Sequence, residues 1–142
     1  DARDSKSRGG NTVSVRVRSL APNFFLTMGV VMEECIFCKV VAGDISSKSV
    51  MDTDNVLVLK DIAPKAPIHY LIIPKKHLQD LRSFEDIDSN LAGELLMTAQ
   101  KLSELNDGVP FRILINNGHE VGQRVNHVHL HFLAGKELPE LF

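Results

Sequence analysis

The stretch N126-H-V-H-L-H-F-L-A-G135 decides how this chain is read. Its three histidines, His127, His129 and His131, alternate with Val128, Leu130 and Phe132, and they are half of the six in the chain. Successive strand side chains point to opposite faces, so alternation predicts a strand over 126–133 with imidazoles on one face and a core face behind. Neighbouring imidazoles would then stand about 6–7 Å apart. An imidazole face must meet water, a metal or a substrate, because unpaired buried polar groups are costly. A solvated polar face normally mixes Thr, Lys, Ser and Glu. Three identical imidazoles favour a metal site or a catalytic, phosphate-handling site instead.

The rest of the chain supplies a frame for that strand. At 142 residues it is long enough for one domain with a real core. A net charge of −2 gives no basic excess of the kind nucleic-acid binding needs, and no nucleic-acid partner is expected. The segment FFLTMGVVM (24–32) is apolar but shorter than the roughly 20 residues a bilayer span requires, so no membrane partner is expected. The stretch DARDSKSRGGNTVSVRVRS (1–19) is polar, with Gly9-Gly10 and scattered Arg, and residues 1–31 read as a disordered or leader-like extension before a domain at 32–142. An organelle transit peptide is one reading, against which Asp1 and Asp4 count; translation from Met28 or Met32 is another.

Within 32–142 the pattern predicts a short helix over 35–45, stopped near Gly43. Two strands follow in 48–62, joined at Asp54-Asn55, then a proline loop at 63–67 and a strand at 68–74 ended by Pro74. SFEDI opens a helical stretch, with a long helix from Asn90 to Asn106 on a stripe of Leu91, Leu95, Met97, Leu102 and Leu105. Asp107-Gly108 ends it; a strand at 111–116, a loop at 117–124 and the histidine strand complete the order. The fold class is α+β, with a mainly antiparallel sheet and one long helix able to cover one face.

The cysteines, Cys35 and Cys38, stand as C-x-x-C, which reads as a metal or redox motif rather than a disulfide framework. A tetrahedral zinc would need two more ligands, for which His77 and His127 are candidates on chemistry alone. A free dithiol, a redox pair, or a buried thiol beside an idle one are the other readings. The expected setting is reducing and cytoplasmic, with organelle targeting by the extension as the alternative.

These residues resemble a known family. HVHLHFL fits the His-φ-His-φ-His-φ-φ signature of the histidine triad (HIT) superfamily, φ being apolar. CIFCKVVAGDI, VLVLKDIAPKAPIHYLIIPKKH, INNGHEVGQ and NHVHLHFLAG stand in the order and spacing of its Hint-like branch, covering about residues 33–135. The resemblance implies a five-stranded HIT fold with one long and one short helix. It also implies a homodimer that binds purine nucleotides and hydrolyses nucleoside phosphoramidates. Carried over by residue, His129 is the nucleophile, His131 the phosphate partner and His127 the first triad histidine. Asn116 lies in the phosphate region, and Asp61 binds the ribose hydroxyls. Phe37, Leu59 and Ile62 line the base pocket; Gly122, Gln123 and Val125 line the phosphate site. His69 supports the cluster, and His119 receives no role. In bacterial-type members carrying C-x-x-C, the resemblance implies a structural zinc on Cys35, Cys38, His77 and His127.

Arg124 departs from the family pattern, which has Ser or Thr after Gly-Gln. A guanidinium is no general acid near neutral pH, but it clamps phosphate well. Arg124 makes nucleotide binding or scaffolding with weak turnover an alternative to phosphoramidase activity; dinucleoside polyphosphate hydrolysis is the rival within the enzyme class, and a metal-only role is the third reading. The tail KELPELF is short and has no Trp.

Overall fold

A computed structural model describes residues 35–141. The expectations for residues 1–34 lie outside the described residues. Helix α1, Ile36–Ala42, begins after Cys35 and ends at Gly43, whose left-handed φ of 87° lets its N–H turn back to the carbonyls of Lys39 and Val40. One helical turn therefore separates Cys35 from Cys38, which puts both thiols on one side.

Strands β1 (Ser49–Asp52) and β2 (Val56–Lys60) form the expected hairpin. Thr53 closes its turn: the Thr53 hydroxyl oxygen accepts from the N–H of Val56 at 3.0 Å and of Asn55 at 3.3 Å. With β3 (Ile68–Pro74), β4 (Phe111–Ile115) and β5 (Leu130–Ala134) they make a five-stranded sheet, order β1-β2-β3-β5-β4, antiparallel throughout.

The sheet carries apolar packing on both faces. Val56, Val58, Ile72, Val128, Leu130 and Phe132 pack with Leu95, Ala99 and Leu102 of the long helix α2, Ser89–Leu105. On the opposite face Leu57, Leu59 and Ile73 pack with Cys35 and Phe37. The run V56-L-V-L59 shows no polar alternation because both faces are covered.

Two expectations change here. The helix stripe does not run through Met97 and Leu105, which are 52% and 66% exposed; Thr98 and Ala99 take the inward positions with Leu95 and Leu102. Leu95, Ala99 and Leu102 keep the i, i+4, i+7 phase, and Thr98 satisfies its hydroxyl on the Glu94 carbonyl at 2.7 Å. The histidine strand is also shorter than 126–133. Ladder pairing starts at Leu130, opposite Ile72. Pro74 has no N–H to extend the ladder. Its carbonyl meets the His127 ring instead, and the Val128 N–H goes to the Leu78 carbonyl at 2.7 Å. The facing is kept all the same: Val128, Leu130 and Phe132 enter the α2-side core, and the histidines lie on the other face.

Candidate active site and metal site

The first cluster lies where α1 meets the end of β3. Cys35 Sγ is 3.4 Å from His127 Nδ1, Cys38 Sγ is 3.1 Å from His77 Nδ1 and 3.6 Å from His127 Nδ1, and the two Nδ1 atoms are 3.2 Å apart. Tetrahedral zinc with bonds of about 2.0–2.3 Å places its donor atoms about 3.3–3.8 Å from one another, which these separations approach. Tautomers fit as well. His127 Nε2 is 2.8 Å from the Pro74 carbonyl, which only accepts, so Nε2 carries the hydrogen and Nδ1 turns a lone pair into the cluster. Burial pushes His127 down to about 4, with the Pro74 carbonyl opposing, so the ring is neutral at pH 7. Burial also lowers His77, and burial with the neighbouring Cys35 pushes the Cys38 thiol up to about 12. Two thiols and two imidazoles converge there, and thiols that lose their protons on binding give an S2N2 donor set that suits zinc. The four residues fit zinc.

The second cluster follows along the same stretch. His129 is 7% exposed and sits edge-on to both Phe37 and His131, with ring centroids 5.3 and 5.1 Å away. The 5.1 Å spacing is tighter than an ideal strand gives, because only His131 of the pair lies in the paired ladder. His129 Nδ1 donates to the His127 carbonyl at 2.8 Å, leaving the lone pair on Nε2. Among the described residues, no group bonds that Nε2.

His131 Nδ1 lies 2.9 Å from His69 Nε2, on neighbouring strands β5 and β3. Burial pushes His131 down to about 4, and the neighbouring imidazoles of His129 and His69 add to the shift. Asp61, just past β2, reaches His69 Nε2 with Oδ2 at 3.2 Å and accepts the Ala63 N–H on Oδ1 at 2.7 Å. Asp61, His69 and His131 also stand close enough to share an ion. The 2.9 Å contact between imidazole nitrogens is a hydrogen-bond length, and the trio reads as a hydrogen-bonded cluster.

Of the residues expected to line a base pocket, Phe37 and Leu59 are buried in the second core cluster, with Val125 packed against it. Ile62 stands fully exposed beyond Asp61. Asn116 is half-buried, its amide about 3.5 Å from where a Gly122 Cβ would stand. Gly122 has φ 111°, a left-handed conformation that favours glycine. Arg124 is exposed and donates from Nη1 to the His119 carbonyl at 3.1 Å.

The Gln123 side chain has a different task from the one its sequence position implied. It is buried: Oε1 accepts the Gly118 N–H at 2.7 Å, and Nε2 donates to the carbonyls of Gln79 and Val125 at 2.7 and 3.0 Å. The amide pins the 118–125 loop to the segment after β3. Gln123→Ala leaves three backbone groups without that partner, and the expected loss is about 2–3 kcal/mol of stability in chemical denaturation. A loss within about 0.5 kcal/mol would refute the staple. The N–H groups of Gly122 and Gln123 are already bonded, to the carbonyls of His119 and Gly118. Among the described residues, those of Arg124 and Val125 are not, and they are the donors this loop offers.

Two participants escape sequence reading: the Pro74 carbonyl and the Lys65 N–H, which donates to His69 Nδ1 at 3.0 Å. Both are backbone groups, whereas the His127 carbonyl is the acceptor expected for the His129 N–H. The break of β3 at Pro74 was the one signal that a carbonyl there would be left for another partner.

An antiparallel sheet with a long helix behind it and a His-x-His-x-His stretch in front defines a histidine-triad type of protein. The HIT domain family model matches residues 42–138, and the chain belongs to that family. An uncharacterised HIT-like protein of Synechocystis is 44% identical over 105 residues, covering 73% of this chain and 92% of its own length. A HIT family hydrolase from Legionella pneumophila has a similar structure, with TM-score 0.72, 38% identity, and 75% of this chain and 96% of that one covered. A histidine triad nucleotide-binding protein from Candida albicans aligns with TM-score 0.66 at 33% identity, over 73% of this chain and 76% of that one.

Proposed function

We propose that this protein is a hydrolase of nucleoside phosphoramidates that works through a covalent nucleotidyl-His129 intermediate. The observation that carries the reading is the Nδ1–H bond of His129 to the His127 carbonyl, which leaves a neutral Nε2 lone pair as nucleophile. Nε2 attacks the α-phosphorus and the P–N bond breaks. The amine leaves with a proton taken from solvent, and the water that later attacks returns one. Water then cleaves the P–Nε2 bond, releasing the nucleoside monophosphate and restoring His129. His131, Asn116 and the N–H groups of Arg124 and Val125 supply donors where phosphate charge grows, and groups of this kind contribute about 3–4 kcal/mol in other enzymes. Asp61 takes the ribose hydroxyls; Phe37, Leu59, Ile62 and Val125 border the base. The nucleotide-binding and hydrolase names of similar structures support the reading.

Cys35, Cys38, His77 and His127 would hold a zinc ion, which on this reading cross-links α1 to the ends of β3 and the histidine stretch. Thiolate ligands suit a reducing, cytoplasmic setting. A homodimer completes the proposal. In the sheet order β4 is an edge strand, with Phe111 and Leu114 exposed, and α2 exposes Leu96, Met97 and Leu105. Sedimentation velocity at micromolar concentration is expected to give one species at twice the protomer mass; a lone protomer would reject the dimer.

Release of AMP from adenosine 5′-phosphoramidate tests the activity, with diadenosine polyphosphate offered in parallel. Faster turnover of the phosphoramidate supports the proposal. Arg124 favours the second reading: its exposed guanidinium suits an anionic leaving group, and preference for the polyphosphate would establish dinucleoside polyphosphate hydrolysis. Tight AMP binding with no turnover of either would leave a binding protein.

A further inference from the structure

We propose that His69 is a positioning residue that couples occupation of Asp61 by a sugar diol to the tautomer of His131. The inference rests on the reading above that Asp61 takes the ribose and His131 the phosphate.

The argument starts from a backbone amide. The Lys65 N–H can only donate, so His69 Nδ1, 3.0 Å away, is a lone pair. Burial lowers the His69 pKa, in keeping with a neutral ring. A neutral imidazole whose Nδ1 accepts carries its single hydrogen on Nε2. Two acceptors face that hydrogen: His131 Nδ1 at 2.9 Å and Asp61 Oδ2 at 3.2 Å.

That one hydrogen sets the other ring. As it bonds His131 Nδ1, His131 must hold its own hydrogen on Nε2. Among the described residues no group accepts from that Nε2, so it remains a donor for a ligand. Asp61 competes for the same hydrogen. Its carboxylate keeps some exposure, 15% of the side chain, and Oδ1 is already held by the Ala63 N–H. A vicinal diol donating to this carboxylate weakens it as an acceptor for His69. The shared hydrogen then passes more fully to His131, which fixes the Nε2–H donor. Sugar recognition thereby prepares the phosphate donor, and discrimination against sugars lacking the diol appears in kcat as well as in KM.

The test is imidazole 15N–1H correlation on the full chain, alone and with AMP or 2′,3′-dideoxy-AMP. The parent protein is expected to show His69 and His131 as Nε2–H tautomers. AMP should move the His69 Nε2–H proton downfield, and the dideoxy nucleotide should not. Asp61→Asn should remove the difference between the two. His69→Gln, which keeps a donor near the Nε2 position, should retain the His131 tautomer, whereas His69→Ala should mix it. A structural role for His69 alone would not separate these cases. In turnover, the dideoxy phosphoramidate should lose about tenfold in kcat relative to the ribose substrate. An Nδ1–H tautomer at His131, equal shifts with both nucleotides, or no shift with AMP overturns the coupling. If the tautomers and shifts are as expected but no phosphoramidate is cleaved, the coupling stands and the hydrolase reading falls. Normal hydrolysis with equal kcat for the two sugars rejects the coupling alone.

Discussion

His129→Ala is expected to lower AMP release from adenosine 5′-phosphoramidate by more than about 10³-fold while the chain stays folded. Removing a nucleophile removes the covalent route itself, and losses of that size or larger are usual when a residue of a catalytic unit is deleted. The variant also loses one hydrogen bond to the His127 carbonyl, which costs about 1–3 kcal/mol of stability. Circular dichroism and AMP binding separate the two effects. A folded variant that binds AMP and has lost turnover fits the assignment. Retention of a tenth or more of the parent rate would move the nucleophile elsewhere.

Metal removal gives the second large effect, and this one is on stability. Two free thiols and two neutral imidazoles meet at 3.1–3.6 Å between α1 and the segments that carry His77 and His127. Without a cation the thiols take up protons, and the His77 and His127 ring nitrogens, 3.2 Å apart, keep a hydrogen bond in place of ligation. Ligation that favours the folded state adds RT ln(1 + [L]/Kd) to stability. A chelator in excess is expected to cost about 2–4 kcal/mol, read as a fall of about 10–20 °C in the unfolding midpoint, and zinc should restore it. Cys38→Ser should lower the midpoint in the same way and make it indifferent to the chelator. A protein that carries no zinc when purified, and whose midpoint does not respond to added zinc, contradicts the metal assignment.

Much of this was legible in the sequence, and what was missed has physical causes. The alternation in HVHLHFL sorts side chains correctly because Val128 keeps the facing of Leu130 and Phe132 after ladder pairing has stopped, although the chain bends at 125–127. The end of pairing was harder to place, since it depends on the N–H that Pro74 lacks on the neighbouring strand. Apolar letters place Met97 and Leu105 on the α2 stripe, whereas helix phase exposes them and buries the small residues Thr98 and Ala99. Gln123 reads as a polar loop residue and proves to be a buried staple, a role that needs the positions of residues 79 and 118. The His127 carbonyl was foreseeable as the acceptor for His129, but the tautomers of His127 and His69 are set by the Pro74 carbonyl and the Lys65 amide. Every residue carries such groups, so no letter of the sequence singles them out.

The central claim is that His129 Nε2 takes the nucleotidyl group. It is tested most directly by mixing the protein with adenosine 5′-phosphoramidate, quenching within the first turnover and mapping the adduct by mass spectrometry. The account predicts an adenylyl group on His129, absent from His129→Ala and released as AMP when the reaction is left to run. An adduct on any other residue would contradict it, as would steady AMP production with no protein-bound nucleotide at any time.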